Sequence, residues 1–154
     1  MRRRKARRSM ASCAKGKLTG QFPGAINIGE RPAEVERREV AGHWVAYLVM
    51  GAGNRTAILV IIERVSRYVM IVLLGMAKDA VSVSRALIKA FKTLPAHLRK
   101  TLTYDNGCEM AEHAAFSIAI KVAVYFCDPH SPWQRGAVEN ITVLSENISQ
   151  GQRL

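Results

Sequence analysis

Two acids in this chain sit where a backbone can offer a carboxylate to a cation. Asp105 lies in Thr103-Tyr104-Asp105-Asn106-Gly107-Cys108-Glu109, directly after a short apolar run and at the start of an Asn-Gly turn. Glu139 lies in Asp128-Pro129-His130-Ser131-Pro132-Trp133-Gln134-Arg135-Gly136-Ala137-Val138-Glu139-Asn140, one turn into a helix that Pro132 opens. Between them lie 33 residues. Carboxylate oxygens are the hard donors that Mg²⁺ or Mn²⁺ accepts, and two of them meeting at one sheet edge would hold a divalent cation with places left for water or phosphate. Taken singly, Asp105 reads as a turn residue and Glu139 as an acid favoured by the helix dipole. Only the two motifs together point to a metal.

The residues around them divide in the same way. Asn106 is suited to orient Asp105 through hydrogen bonds. Glu109 reads as a brace for the helix that follows. His130 and Trp133 belong to a loop leading to Glu139, where an imidazole or an indole serves either to touch a nucleic acid or to anchor the loop. Arg135 and Arg55 have the charge and reach to contact phosphates. Cys108 has no base beside it in sequence and reads as a small turn residue rather than a nucleophile.

The elements that must bring these groups together follow from the apolar pattern. His43 to Met50, Arg55 to Glu63 and Tyr68 to Leu74 are rich in Val, Ile and Leu and are broken by Gly51-Ala52-Gly53-Asn54 and Arg64-Val65-Ser66-Arg67, which predicts three consecutive antiparallel strands. From Asp79 the period becomes helical through Val83, Leu87, Ala90, Phe91 and Leu94, and Pro95 ends it. Lys100 to Tyr104 predicts a fourth strand, Glu109 to Ile120 a helix, Val122 to Phe126 a fifth strand, and Gly136 to Ile148 a last helix. The expected fold is α/β, a five-stranded mixed sheet with flanking helices. Alternation puts His43, Val45, Tyr47 and Val49 on one face of the first strand and Trp44, Ala46, Leu48 and Met50 on the other.

From about Gly29-Glu30-Arg31-Pro32 through Asn140, the chain resembles the Asp-Asp-Glu transposases and retroviral integrases, most closely the insertion-sequence transposase family numbered thirty. The resemblance implies a ribonuclease H-like core in which acids on the first strand, the fourth strand and the last helix converge, with Asp105 and Glu139 as the second and third. The family writes its first acid in a strand Gly-His-Trp-Glu-Gly-Asp-Leu. Here the segment reads Gly42-His43-Trp44-Val45-Ala46-Tyr47-Leu48, so Tyr47 stands in the aspartate's place. Between Glu39 and Glu63 there is no other acid, and Glu63 falls where the family is already acidic. After Asn140 the match ends, so the resemblance implies a core incomplete at its C terminus. The implied activity is DNA transposition or integration, that is, metal-dependent cleavage and strand transfer on transposon ends and target DNA. Mg²⁺ or Mn²⁺ would be the cofactor, and a homo-oligomer or a mixed oligomer with an intact transposase the working form. A phenol is no substitute for an anionic ligand at neutral pH, so the metal arrangement is expected to be impaired. The competing expectations are a non-catalytic DNA-binding or inhibitory remnant, and a general nuclease of the same architecture.

The bulk numbers agree with a nucleic-acid partner without requiring one. A chain of 154 residues with 49% apolar residues supports one core. Its net charge is +11, and residues 1–29 hold eight Lys or Arg and no acid. That predicts a basic disordered arm and linker over residues 1–39, able to release counterions from DNA, ahead of a core over residues 40–154. Anionic membrane surfaces attract such arms equally well. Ser9 to Lys15 is too polar for a secretory signal, and the apolar runs Thr56 to Ile62 and Val69 to Ala77 fall far below the roughly 20 residues that cross a bilayer. Cys13, Cys108 and Cys127 have no paired spacing. Reduced thiols in a cytoplasmic, nucleoid-associated protein without a membrane fit that pattern.

Overall fold

The computed structural model describes residues 24–105, 107–128 and 134. Strand β1 is Ile26–Asn27, helix α1 is Ala33–Arg37, and β2 (His43–Met50), β3 (Ala57–Glu63) and β4 (Val69–Gly75) form an antiparallel meander. Helix α2 (Ala80–Lys92), β5 (Thr101–Tyr104), helix α3 (His113–Ile120) and β6 (Ala123–Phe126) follow. One sheet contains all the strands in the order β1-β6-β5-β2-β3-β4, with β5 parallel to β2 and β6 parallel to β5.

The meander forms because β-branched residues dominate β3 and the connections carry turn chemistry. Between β2 and β3 the chain reverses through a 3-10 turn at Ala52–Asn54, where Gly53 and Asn54 take positive φ and Gly51 N–H donates to Thr56 O at 2.9 Å. Helix α2 starts where Asp79 caps it, its carboxylate accepting from Ser82 N–H at 3.0 Å, and Lys89 and Lys92 face the carbonyl end. Val83, Leu87 and Phe91 form its buried stripe. They pack with Trp44, Ala46, Leu59, Ile61, Leu102 and Tyr104 from one sheet face, and with Phe116 and Ile120 of α3. On the opposite face Val45, Tyr47, Val49, Ile58, Val60 and Ile62 form a second apolar cluster. Strand β2, buried on both faces, is therefore the middle of the molecule.

Among the described residues the sheet has six strands where the sequence pattern predicts five. Residues 26 and 27 pair parallel with Tyr125 and Phe126, which makes β1 an edge strand beside β6. A two-residue strand shows no alternation to read. The folded part also begins upstream of Val40: Val35 is fully buried, and Arg31 inserts into the protein instead of belonging to a linker. The helix expected from Glu109 starts at His113, after a separate 3-10 turn at Cys108–Met110. The basic arm at residues 1–8 and the expected helix from Gly136 to Ile148 lie outside the described residues. No helix among the described residues is long and apolar enough to cross a membrane.

Candidate metal centre

The parallel register of β2 and β5 sets the geometry of the site. His43 pairs with Thr101, Val45 with Thr103 and Ala46 with Tyr104. Asp105 is the next residue after β5, so one further step of this register brings it alongside Tyr47, on the same sheet face by alternation. Asp105 is half-buried, whereas Tyr47 is only 3% exposed and packed in the apolar cluster with Val45, Val49 and Val60. The strand that would supply a first acid thus supplies an aromatic ring belonging to the core.

Glu109 returns toward the end of β5 through the 3-10 turn. Tyr104 Oη–H donates to Glu109 Oε1 at a long 3.4 Å. The Glu109 carboxylate lies over Gly107, where an added Cβ would displace it. Burial pushes the Glu109 carboxyl up from its ordinary range, and the charge of Asp105 adds to that shift. The brace expected of Glu109 is therefore made to β5 rather than to the next helix.

Glu63, the acid nearest to Tyr47 in sequence after it, occupies the opposite end of the sheet, paired with Trp44. Its carboxylate accepts from Gly42 N–H at 3.1 Å, Val65 N–H at 3.0 Å, Ser66 N–H at 2.6 Å and Ser66 Oγ–H at 2.7 Å. Burial raises its proton affinity, but these bonds outweigh burial and hold it below the usual carboxylate range. It closes the β3–β4 turn and is no substitute ligand.

A buried polar network that sequence reasoning did not find lies on the Tyr47 face. Arg31 Nη1–H donates to Thr103 Oγ1 at 2.9 Å, two residues before Asp105, and Arg31 also pairs with Glu36. Arg64 Nε–H donates to Val35 O at 3.2 Å, and its Nη2 lies 3.8 Å from Glu36. Burial and the neighbouring Arg64 lower Arg31 to about 10, so it remains charged at neutral pH. The available signal was the Arg31-Pro32 pair followed by Glu34 and Glu36, but nothing local says which strand such side chains meet. His43 closes the same face, with Nδ1 2.8 Å from Thr101 Oγ1 and Nε2 3.0 Å from Glu34.

Beyond β6, Asp128 is fastened by three contacts. Asn27 Nδ2–H donates to its Oδ1 and Gln134 Nε2–H to its Oδ2, both at 2.8 Å, while Asp128 N–H donates to Gln134 Oε1 at 2.8 Å. The bonds from Gln134 and Asn27 hold its carboxyl below the ordinary range. This clasp ties Asp128 and Gln134 to Asn27 of β1. Arg55 is exposed in the β2–β3 hairpin, at the same end of the sheet as Asp105. Glu139, His130, Trp133 and Arg135 lie outside the described residues.

As a test of fit for a divalent cation, the described residues offer two half-buried carboxylates at the end of β5, Asp105 and Glu109, the second with its proton affinity raised by burial and by the charge of the first. They offer a buried phenol where a further anionic oxygen is needed. No three His, Cys, Asp or Glu side chains among the described residues gather into a metal-binding group.

Comparison with known proteins gives a consistent picture. Residues 37–132 match the family described as the integrase core domain. The transposase of insertion sequence IS1086 from Cupriavidus metallidurans is 47% identical over 136 residues, covering 88% of this chain and 40% of that protein. Transposase InsI of IS30A from Escherichia coli is 49% identical over 117 residues, 76% of this chain and 30% of that protein. The chain therefore spans less than half the length of these relatives. Among solved structures, the catalytic core domain of BIV integrase superposes with a TM-score of 0.54 at 18% identity, over 67% of this chain and 65% of that one. That likeness establishes the ribonuclease H-like fold.

Proposed function

We propose, from the premise that this chain belongs to the integrase core domain family and to its IS30-type insertion-sequence transposases, that it is a DNA-binding transposition core with an impaired metal site. The observation that carries this is the ring of Tyr47, packed in the core one register step beyond the Ala46–Tyr104 pair and so beside Asp105. Transposition is an in-line displacement at phosphorus, first by water and then by a 3′-hydroxyl, and a bound Mg²⁺ or Mn²⁺ supplies the charge that steadies the oxygens in flight. Asp105 and Glu139 are the residues that would hold that cation. Arg55, His130, Trp133 and Arg135 would contact the DNA, and the basic arm would add sequence-independent affinity. With a buried phenol at Tyr47 in place of a carboxylate, the chain contributes one acid fewer than a two-metal site needs. It binds DNA and transfers strands poorly.

The test is a strand-transfer assay with Mg²⁺ or Mn²⁺ on transposon-end DNA, beside an intact relative. Rates like those of the relative would refute the reading. A second reading, a non-catalytic inhibitor of an intact transposase through mixed oligomers, draws support from the same ring: Tyr47 serves the core, so loss of the site leaves the fold in place. Mixing the two proteins tests it, because an inhibitor lowers the relative's activity in proportion to its concentration and an inert protein does not.

A further inference from the structure

We infer that the outer edge of β4 is a pairing edge for a second copy of this chain, in antiparallel register about a two-fold axis at Val72. Among the described residues, strand β4 ends the sheet and is bonded to β3 on one side only. Glu63 N–H donates to Tyr68 O at 2.8 Å, which makes Glu63 and Tyr68 a hydrogen-bonded pair. Alternation then turns the peptide groups of Met70 and Val72 toward β3 and those of Val69, Ile71 and Leu73 outward.

An axis at Val72 sets Ile71 opposite the partner's Leu73, ahead of the bulge that shifts the register at Gly75. Both are outward-facing residues, so each of these two symmetry-related pairs satisfies two backbone hydrogen bonds. A shift by one residue would set outward groups against inward ones and make none. The edge is thus complementary to itself, as an isologous contact requires.

The side chains agree with that register. Ile71 is 48% exposed and Leu73 is 76% exposed, on the same face as Val69 and the apolar cluster containing Val60. In the paired form each Ile71 packs directly on the partner's Leu73, and the two apolar faces become continuous. Charge favours a second copy over another occupant of the edge. Val69–Gly75 has no charged residue and no proline, the devices that normally keep an edge single. In a chain carrying +11, a charge-free strand is where two copies approach with least repulsion. The inference locates the multimer contact left open in the proposed function and is independent of the metal.

Sedimentation velocity on the full chain over about a hundredfold concentration range should show a monomer passing to a dimer. Ile71→Lys with Leu73→Lys sets like charges opposite one another and should weaken the dimer by about tenfold or more, leaving the monomer's thermal midpoint unchanged because both side chains face solvent. Amide exchange on the unmodified chain gives a readout free of mutation: Ile71 and Leu73 should become protected as concentration rises, while Met70 and Val72 stay protected throughout. A monomer at every concentration, a dimer that survives the double lysine variant, or protection of Ile71 and Leu73 indifferent to concentration would each overturn the inference. None of these results alters metal or DNA binding, so failure here is distinguishable from failure of the proposed function.

Discussion

Tyr47 lies one register step beyond the Ala46–Tyr104 pair and so stands beside Asp105, on an adjacent parallel strand and on the same face. A carboxylate placed there faces Asp105 across the spacing of neighbouring strands, about 5 Å, a separation a divalent cation can bridge. Tyr47→Asp should therefore raise Mn²⁺ affinity by about tenfold or more, read by calorimetric titration with and without DNA. Asp105→Asn in the same background should abolish the gain. The variant also removes a buried ring from an apolar cluster, at a cost of about 3–5 kcal/mol without metal. Added Mn²⁺ should restore part of that loss by mass action. A Tyr47→Asp protein whose melting is indifferent to Mn²⁺ would contradict the assignment.

Arg31 gives a second prediction, because it explains why one of the departures from the family strand matters. Its Nη1 reaches Thr103, the register partner of Val45, so the guanidinium lies beside Val45. Arg31 Nε has no hydrogen-bond partner among the described residues, and its one carboxylate, Glu36, is 66% exposed in its side chain. A buried cation so sparingly matched is costly. Val45→Glu should then be tolerated within about 1 kcal/mol despite the full burial of Val45, whereas Val45→Glu in an Arg31→Met background should cost about 3–5 kcal/mol. A denaturant double-mutant cycle measures the coupling, and additive losses would show that the two side chains do not meet.

Glu63 should behave as a structural acid. Replacing it by Ala strips four donor groups around Gly42, Val65 and Ser66 of their acceptor and should cost about 2–4 kcal/mol, with no change in metal affinity. Because its folded pKa is depressed, the stability it provides is complete above the unfolded carboxylate pKa and is lost as pH falls through the folded value. The gap between wild type and Glu63→Gln should therefore narrow under acid. A Glu63 variant that binds metal less tightly while folding normally would return this acid to the list of ligands.

What could be read from the sequence, and what could not, divides along the distance each feature spans. The meander showed in its β-branched runs and in Gly51 to Asn54, and α2 showed in the spacing from Val83 to Phe91, because both signals are local. The face carrying Tyr47 was legible from alternation alone. Strand β1 was not, since two residues have no period and their pairing with β6 spans most of the chain. The Arg31–Thr103 bond joins positions 72 apart, and a charged residue in a Pro-bounded segment carries no mark of burial. Asn27, Asp128 and Gln134 escaped for the same reason: their polar side chains read as loop residues until the fold brought the two segments together.

His43 supplies a prediction whose sign separates two readings of one contact. Burial lowers its pKa, while the Glu34 carboxylate at 3.0 Å works in the opposite direction without reversing the shift. The folded ring is therefore neutral in a range where the unfolded ring, titrating near 6.5, already binds a proton. Stability should fall as pH drops through about 6.5 and level off below the folded value, in a window where most carboxylates remain charged. His43→Gln should flatten that slope, as measured by urea midpoints across the range. Glu34→Gln should extend the slope to lower pH, because it removes the group that favours the charged ring. If the ion pair with Glu34 governed instead, the protein would gain stability on mild acidification, and Glu34→Gln would abolish the gain. The two outcomes have opposite signs, so a single titration decides between them.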